Sequence, residues 1–129
     1  MENKKGLQLV VPKKELEEQN SGNSYLRQGV VWKPETLWKF AEEKGYEVRD
    51  LPLWTVNICD LPWQIHTLRD FIREMHHVNQ CTFDYPIIID NMGIIADGMH
   101  RVVKAFLEGK ESIKAIRLEE MPEPDDYLR

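Results

Sequence analysis

Short apolar runs with a period of two alternate along the chain with longer stretches in which apolar residues recur every three or four positions. The first pattern is typical of strands and the second of helices. In the middle of the chain, Pro86–Asp90 and Gly93–Ala96 predict two strands joined by a turn. Asp97 and Gly98 end the second strand, and an apolar helix is predicted as far as Gly109. Its inward side is predicted to carry Met99, Val102, Val103, Phe106 and Leu107.

Four further elements are predicted around this central unit. A helix is expected over Pro34–Gly45, with proline at its start and glycine at its end, and Tyr46–Asp50 is a connector or a short strand. Alternation predicts strands at Leu53–Leu61 and Ser112–Leu118, and amphipathic spacing predicts a helix over Gln64–Val78. The inward side of that helix should carry Ile65, Leu68, Ile72 and Met75, with Phe71 beside them. The order α, β, α, β, β, α, β predicts a small single-domain α+β fold with a mixed sheet flanked by helices.

The polar ends of the chain set the expected domain limits. Residues 1–29 are predicted as a flexible N-terminal arm, although Leu7–Val11 alternates and also fits a short strand. Residues 30–118 form the predicted domain. Residues 119–129 are expected to be a solvated acidic tail.

Composition narrows the function classes. The chain has 129 residues, a formal net charge of −5 at pH 7 and no apolar run of membrane-spanning length. The acidic balance argues against nucleic acid as the main partner, because nucleic-acid-binding proteins usually carry a basic surface. Without a recognisable signal peptide, a cytoplasmic protein is expected, with Cys59 and Cys81 as reduced, buried thiols.

Candidate chemistry is concentrated where the second strand meets the helix. Asp97, His100 and Arg101 lie there, and a helix start offers free N–H groups and a positive dipole end to an anion. An arginine fork beside them suits phosphate. The plainer alternative is a capping aspartate with solvated basic residues. Asp90, by contrast, is expected to serve turn chemistry.

The strand–turn–strand ending in Asp97-Gly98-Met99-His100-Arg101 and followed by an apolar helix resembles the core of the ParB/sulfiredoxin superfamily. The resemblance extends over about Leu53 to Leu118 and is strongest over Pro86–Gly109. It implies a ParB/sulfiredoxin-like fold and a nucleotide held by its phosphates at the Gly-x-His-Arg turn. The nucleotide-binding residues it implies are Gly98, Met99, His100 and Arg101, with Gln64 and Thr67 nearby.

Two departures from the superfamily limit what the resemblance implies. Sulfiredoxins carry their reactive cysteine at the position of Met99, and a thioether is not a thiolate nucleophile, so repair of sulfinic cysteine is not expected. Partition proteins continue into a helix-turn-helix domain, and the residues after Leu118 are too few for one.

The resulting hypothesis is a nucleotide-binding protein that holds a di- or triphosphate, ATP, ADP or CTP, together with Mg²⁺. If it is an enzyme, it would be a nucleotide-dependent phosphotransferase or phosphohydrolase with Asp97, His100 and Arg101 as catalytic residues. Arg101 would be the electrostatic clamp, His100 a phosphate ligand or acid, and Asp97 would orient the metal ion or a nucleophile. Trp63 is either a core residue or a platform for the base.

Two alternatives belong to other classes. One is a ParB-like nucleic-acid-binding or nuclease module from a phage or mobile element. Its basic groove would consist of Lys33, Lys39, Lys104, Lys110, Lys114 and Arg117. The other is a non-catalytic adaptor that senses a nucleotide and binds a protein partner.

Histidine spacing gives no prediction of a metal site. His66 and His76 do not share a helix face, and the adjacent His76 and His77 point in different directions. Because no two histidines have the i, i+4 spacing of a helical metal pair, we predict surface or helix-end histidines.

Overall fold

The computed structural model describes residues 24–128, which form a small α+β domain with three helices and two sheets. The predicted coarse class is confirmed, although the strands divide into two sheets. The strands are β1 (Tyr25–Arg27), β2 (Val30–Trp32), β3 (Val48–Pro52), β4 (Ile87–Ile89), β5 (Ile95–Asp97), β6 (Ser112–Arg117) and β7 (Asp126–Tyr127). The helices are α1 (Pro34–Lys44), α2 (Leu68–Gln80) and α3 (Met99–Leu107), and a short 3₁₀ turn covers Leu53–Thr55.

The larger sheet is mixed and has the order β3-β6-β4-β5. Its central strand β6 pairs antiparallel with β3 and parallel with β4, and β4 pairs antiparallel with β5. The parallel pair is possible because α3 returns the chain from β5 to β6, as parallel strands require a crossover. The predicted strands at Pro86–Asp90, Gly93–Ala96 and Ser112–Leu118 are confirmed with small shifts at their ends.

The smaller sheet is antiparallel, has the order β1-β2-β7 and joins the two ends of the described chain. Strand β1 lies within the segment that we expected as an arm, and β7 lies within the expected acidic tail. Asp125 accepts hydrogen bonds from the backbone N–H of Lys33 at 2.7 Å and from Thr36 Oγ1 at 2.9 Å, so it caps the start of α1. The segment is thus attached to the domain at Asp125. Its acidic side chains are exposed, as expected: Glu119, Glu120, Glu123, Asp125 and Asp126. Residues 1–23, with the alternative strand at Leu7–Val11, lie outside the described residues.

Two apolar clusters lie against the larger sheet. One surrounds Ile88 and Ile116 and includes Trp38 of α1, and the other surrounds Ile87 and includes Val102 of α3. The sequence of β4 is a continuous apolar run, as expected for a strand that is buried on both faces. This packing fixes α3 against β4 at the point where the polar residues of the sequence motif lie.

The predicted strand at Leu53–Leu61 is wrong. Leu53 is buried at the start of the 3₁₀ turn, but the Trp54 side chain is 84% exposed. After it, Asn57 Nδ2 donates to Asp60 Oδ2 at 3.0 Å and Asn57 Oδ1 accepts from the backbone N–H of Cys59 at 2.9 Å. Such local side-chain bonds compete with sheet pairing. Strand β3 instead takes the earlier segment that was predicted as a connector or a short strand.

Helix α2 begins later than predicted and turns a different face inward. Thr67 and Asp70 form a capping box, so Gln64–Thr67 precede the helix. Leu68 and Ile72, predicted as inward, are 73% and 57% exposed. The inner face carries Glu74, His77 and Val78, and the predicted inward residue Met75 is half-buried. Helix α3 likewise buries His100, Arg101, Val102 and Ala105, whereas Leu107 is exposed.

Candidate functional site

A cavity of about 560 Å³ opens beside the first turn of α3. One wall is the end of β5 and the start of α3, another is Tyr25 and Leu26 of β1, and a third is the loop at Pro62–Gln64. The predicted residues Asp97, Gly98, Met99, His100 and Gln64 all line this cavity, and so do Trp63 and Glu74. The fold thus brings Glu74 of α2 and the loop at Pro62–Gln64, which are distant in the sequence, next to the sequence motif.

Gly98 allows the chain to turn from β5 into α3 while its backbone lies very close to β4. It precedes the helix with φ of +110°, a backbone conformation that side chains rarely adopt. A Cβ atom at this position would lie 2.5 Å from Ile87 Cγ2 and 2.9 Å from Arg101 Nη2. Only glycine fits here without displacing its neighbours, and with this turn Gly98, Met99 and His100 come to line the cavity.

Asp97 is buried and is held by groups inside the protein. Trp38 Nε1 donates a hydrogen bond of 2.8 Å to Asp97 Oδ2, and Arg101 Nη2 lies 3.8 Å from the same oxygen. Burial raises the pKa of Asp97, and the charge of Arg101 opposes that rise without cancelling it. Through Oδ2, the carboxyl group therefore links the strand–helix junction to Trp38 of α1.

Arg101 differs most from its predicted role. Only 2% of the residue is exposed, and its Nη2 donates to the carbonyl oxygen of Pro86 at 3.2 Å. Arg101 is not one of the described residues that line the cavity. It supports the turn from behind by linking α3 to the start of β4, so the prediction of a direct phosphate clamp does not match its position.

His100 lies on the cavity wall between an indole and a carboxylate. Its Nε2 is 2.8 Å from Glu74 Oε1, and its ring stacks on Trp63 with centroids 4.6 Å apart and planes inclined by 16°. Burial lowers the pKa of His100, and Glu74 opposes this shift only in part. One face of Trp63 is therefore already covered by an imidazole, and the neutral form of that imidazole is favoured.

Two further side chains join His100 to form a cluster of metal-ligating groups, which we name the Glu74–His77–His100 triad. One potential ligand atom from each residue lies within 4.8 Å of those of the other two. His77 Nδ1 is 3.9 Å from Glu74 Oε1, and the His77 and His100 rings meet edge to face with centroids 5.2 Å apart. Sequence spacing could not find this cluster because His77 and His100 lie on different helices. The one local signal is the i, i+3 spacing of Glu74 and His77.

The remaining predicted residues take varied positions. Gln64 is exposed on the cavity wall, Met99 is half-buried there, and Thr67 caps α2 instead of lining the cavity. Asp90 serves the turn, as predicted: its Oδ1 accepts from the N–H groups of Met92 and Ile94.

The same buried Asp90 ties the turn to β1. Its Oδ2 accepts from the Tyr25 hydroxyl at 2.6 Å and from Arg27 Nη1 at 2.8 Å. Burial alone would raise the pKa of Asp90, but the hydrogen bonds from Tyr25, Ile94, Met92 and Arg27 outweigh it and lower the pKa. Asp90 thereby helps to hold the β1 wall of the cavity. Cys81 is buried, as expected, whereas Cys59 is exposed, which differs from the expectation of a buried thiol.

Several basic side chains of the predicted groove make contacts within the protein. Lys114 Nζ lies 2.7 Å from Asp50 Oδ1, Arg117 Nη2 donates to the carbonyl of Asn91, and Lys104 Nζ donates to the carbonyl of Cys81. These contacts compete with a nucleic-acid backbone for the same donors. Within residues 24–128, moreover, none of the helices is both long and apolar enough to cross a membrane.

The fold and the site define a small α+β domain with a polar cavity at a strand–helix junction. A scan of protein-family models and searches of curated proteins and of solved structures returned no match for this chain. The resemblance to the ParB/sulfiredoxin superfamily stays a prediction, and the proposals below rest on the geometry of the cavity and its walls.

Proposed function

We propose that this protein binds a nucleotide di- or triphosphate in the cavity beside the first turn of α3. The observation that carries the proposal is that Gly98, Met99 and His100, at the start of a nine-residue helix, line a cavity of about 560 Å³. A cavity of this size lies within the range of small-molecule sites, roughly 300–1,000 Å³. The helix start supplies N–H groups and a positive dipole end to an anion.

The other walls supply groups that suit the rest of a nucleotide. The Gln64 amide can both donate and accept hydrogen bonds, and the Trp63 indole offers an apolar surface. Arg101 acts indirectly in this proposal, because its bond to the Pro86 carbonyl stabilises the turn that carries Gly98. Phosphate would thus contact backbone N–H groups and His100, not the guanidinium.

The donor set on the cavity wall does not fit Mg²⁺ well, although the superfamily resemblance implies it. Mg²⁺ prefers several oxygen ligands in octahedral geometry. Asp97 Oδ2 is occupied by Trp38 Nε1, and the other carboxylate, Glu74, is surrounded by imidazoles. The proposal therefore includes no step that depends on Mg²⁺.

The test introduces a negative charge at the proposed phosphate position. Met99→Glu places a carboxylate at the first helical residue, where an acidic group favours the helix dipole, so the helix should persist. Like unit charges about 4 Å apart repel by roughly 1–4 kcal/mol near a protein surface, so binding should weaken by about fivefold or more. Met99→Gln is the matched neutral control.

Binding is measured by thermal shift and calorimetry with ATP, ADP, CTP and GTP. We expect at least one nucleotide to raise the melting temperature of the wild type and of Met99→Gln, but not of Met99→Glu. Product analysis of that nucleotide then separates a phosphotransferase or phosphohydrolase from a sensor. The proposal fails if no nucleotide stabilises the wild type, or if the Glu and Gln variants bind equally well.

A further inference from the structure

The Glu74–His77–His100 triad brings three ligand-type side chains together from two helices that pack against each other. Glu74 and His77 lie one turn apart on α2, and His100 comes from the first turn of α3. All three side chains are mostly buried, with exposed fractions of 12%, 30% and 6%. The cluster is therefore part of the helix packing, not a chance meeting of surface residues.

The spacing of the ligand atoms approaches that of a tetrahedral metal site. Zinc lies about 2.0–2.2 Å from histidine nitrogen and carboxylate oxygen, which puts neighbouring ligand atoms about 3.4 Å apart. Glu74 Oε1 lies 2.8 Å from His100 Nε2, which is shorter than that spacing, and 3.9 Å from His77 Nδ1, which is longer. Small side-chain rotations would seat an ion among the three atoms.

His77 provides an independent observation. Its Nδ1 is buried and has no hydrogen-bond partner among the described residues. A buried ring nitrogen without a partner is costly, and it points toward Glu74 at a distance too long for a hydrogen bond. A metal ion between these groups would satisfy the nitrogen and would also replace the Glu74–His100 hydrogen bond.

We propose that Glu74, His77 and His100 bind a divalent transition-metal ion of the Zn²⁺ class. Two imidazoles and one carboxylate form the three-ligand set that such ions accept, leaving one coordination position for water or another ligand. Glu74 and His100 line the cavity, so the open position faces it. Trp63 stacks on His100 and holds its ring in the ligating orientation.

A bound divalent ion would also place positive charge beside the cavity, whose wall includes the carboxyl groups of Asp97 and Glu74. A phosphate oxygen would fill the fourth position, a step that rests on the proposed nucleotide binding. The metal site itself does not depend on that function, because its ligands are complete without a nucleotide.

The test uses the metal-free, untagged protein and the metal ion alone. Calorimetric titration with Zn²⁺ should give one site per chain, and Co²⁺ should give the visible absorption of a tetrahedral ion. His77→Ala and Glu74→Gln should each weaken binding by at least about tenfold, because loss of a mere outer-shell partner already costs 10–100-fold. His76→Ala is the matched control, since His76 is exposed on the same helix with its ring 6.1 Å from that of His77.

Circular dichroism of the metal-free variants guards against a folding artefact, and Glu74→Gln keeps nearly the size and shape of the original side chain. The proposal is overturned if the wild type binds neither ion at one site per chain. It is equally overturned if His76→Ala weakens binding as much as His77→Ala, or if Glu74→Gln binds as the wild type does. Because no nucleotide is present, this outcome is separate from the nucleotide test.

Discussion

Replacing Gly98 by alanine would add a methyl group where β5 turns into α3. The new Cβ would lie 2.5 Å from Ile87 Cγ2, 2.8 Å from Ile87 Cβ and 2.9 Å from Arg101 Nη2. Ile87 is fully buried in the core, so it cannot move aside without cost. Overpacking of this kind costs about 1–3 kcal/mol, and a side chain in the left-handed region adds about 1–2 kcal/mol. We therefore expect the free energy of unfolding to fall by about 2–5 kcal/mol.

Gly93→Ala separates these two contributions. Gly93 also has a positive φ, +88°, but a Cβ there would meet nothing within 4 Å. This variant should lose only the backbone contribution, about 1–2 kcal/mol. Urea unfolding of the wild type and both variants measures the difference. Equal losses in the two variants would refute the close approach of Gly98 to Ile87, and with it the reason that the helix start lies on the cavity wall.

Two further predictions concern groups that hold the site. Because burial raises the pKa of Asp97 above its ordinary value of 3.8, its contribution to stability is fully present below that pH and is lost as the pH rises through the folded-state pKa. Urea unfolding should therefore show a larger stability of the wild type relative to Asp97→Asn at about pH 4 than at about pH 7. A difference that does not change with pH would contradict the raised pKa. Asp125→Ala removes the cap of α1 and should lower the free energy of unfolding by about 0.5–2 kcal/mol, whereas Glu123→Ala, at an exposed position, should change it by less than about 0.5 kcal/mol. A loss no larger in Asp125→Ala than in Glu123→Ala would argue that the cap contributes nothing.

The central unit could be predicted from sequence because its signals are local. Two apolar runs around a turn, a glycine at the strand–helix junction and a glycine after α3 each determine backbone conformation within a few residues. The same holds for α1, which begins at Pro34 and is followed by Gly45 with φ of +67°. Four predicted site residues at this strand–helix junction, Asp97, Gly98, Met99 and His100, also line one cavity.

The errors have a common physical cause, which is competition from partners far away in the sequence. Helix α2 turns polar Glu74 inward, where its Oε1 accepts a hydrogen bond from His100 Nε2, 26 residues later, and no periodicity encodes that pairing. Arg101 does not line the cavity, and its Nη2 contacts the Pro86 carbonyl, 15 residues earlier, and Asp97. Asp125 stays exposed but accepts a hydrogen bond from the N–H of Lys33, 92 residues earlier, and no local pattern encodes that contact. A hydrophobic pattern treats all such side chains as surface residues.

The smaller sheet has a consequence for the order in which the protein assembles. Strands β2 and β7 come from opposite ends of the described chain, so their pairing must close a loop that contains nearly the whole domain. Closing so long a loop is entropically expensive and slows the formation of contacts. The β1 wall of the cavity, Tyr25 and Leu26, also needs a distant contact, because the Tyr25 hydroxyl bonds to Asp90, 65 residues later. The cavity should thus be among the last features to form during folding, and a chain with all three helices in place would still lack one of its walls.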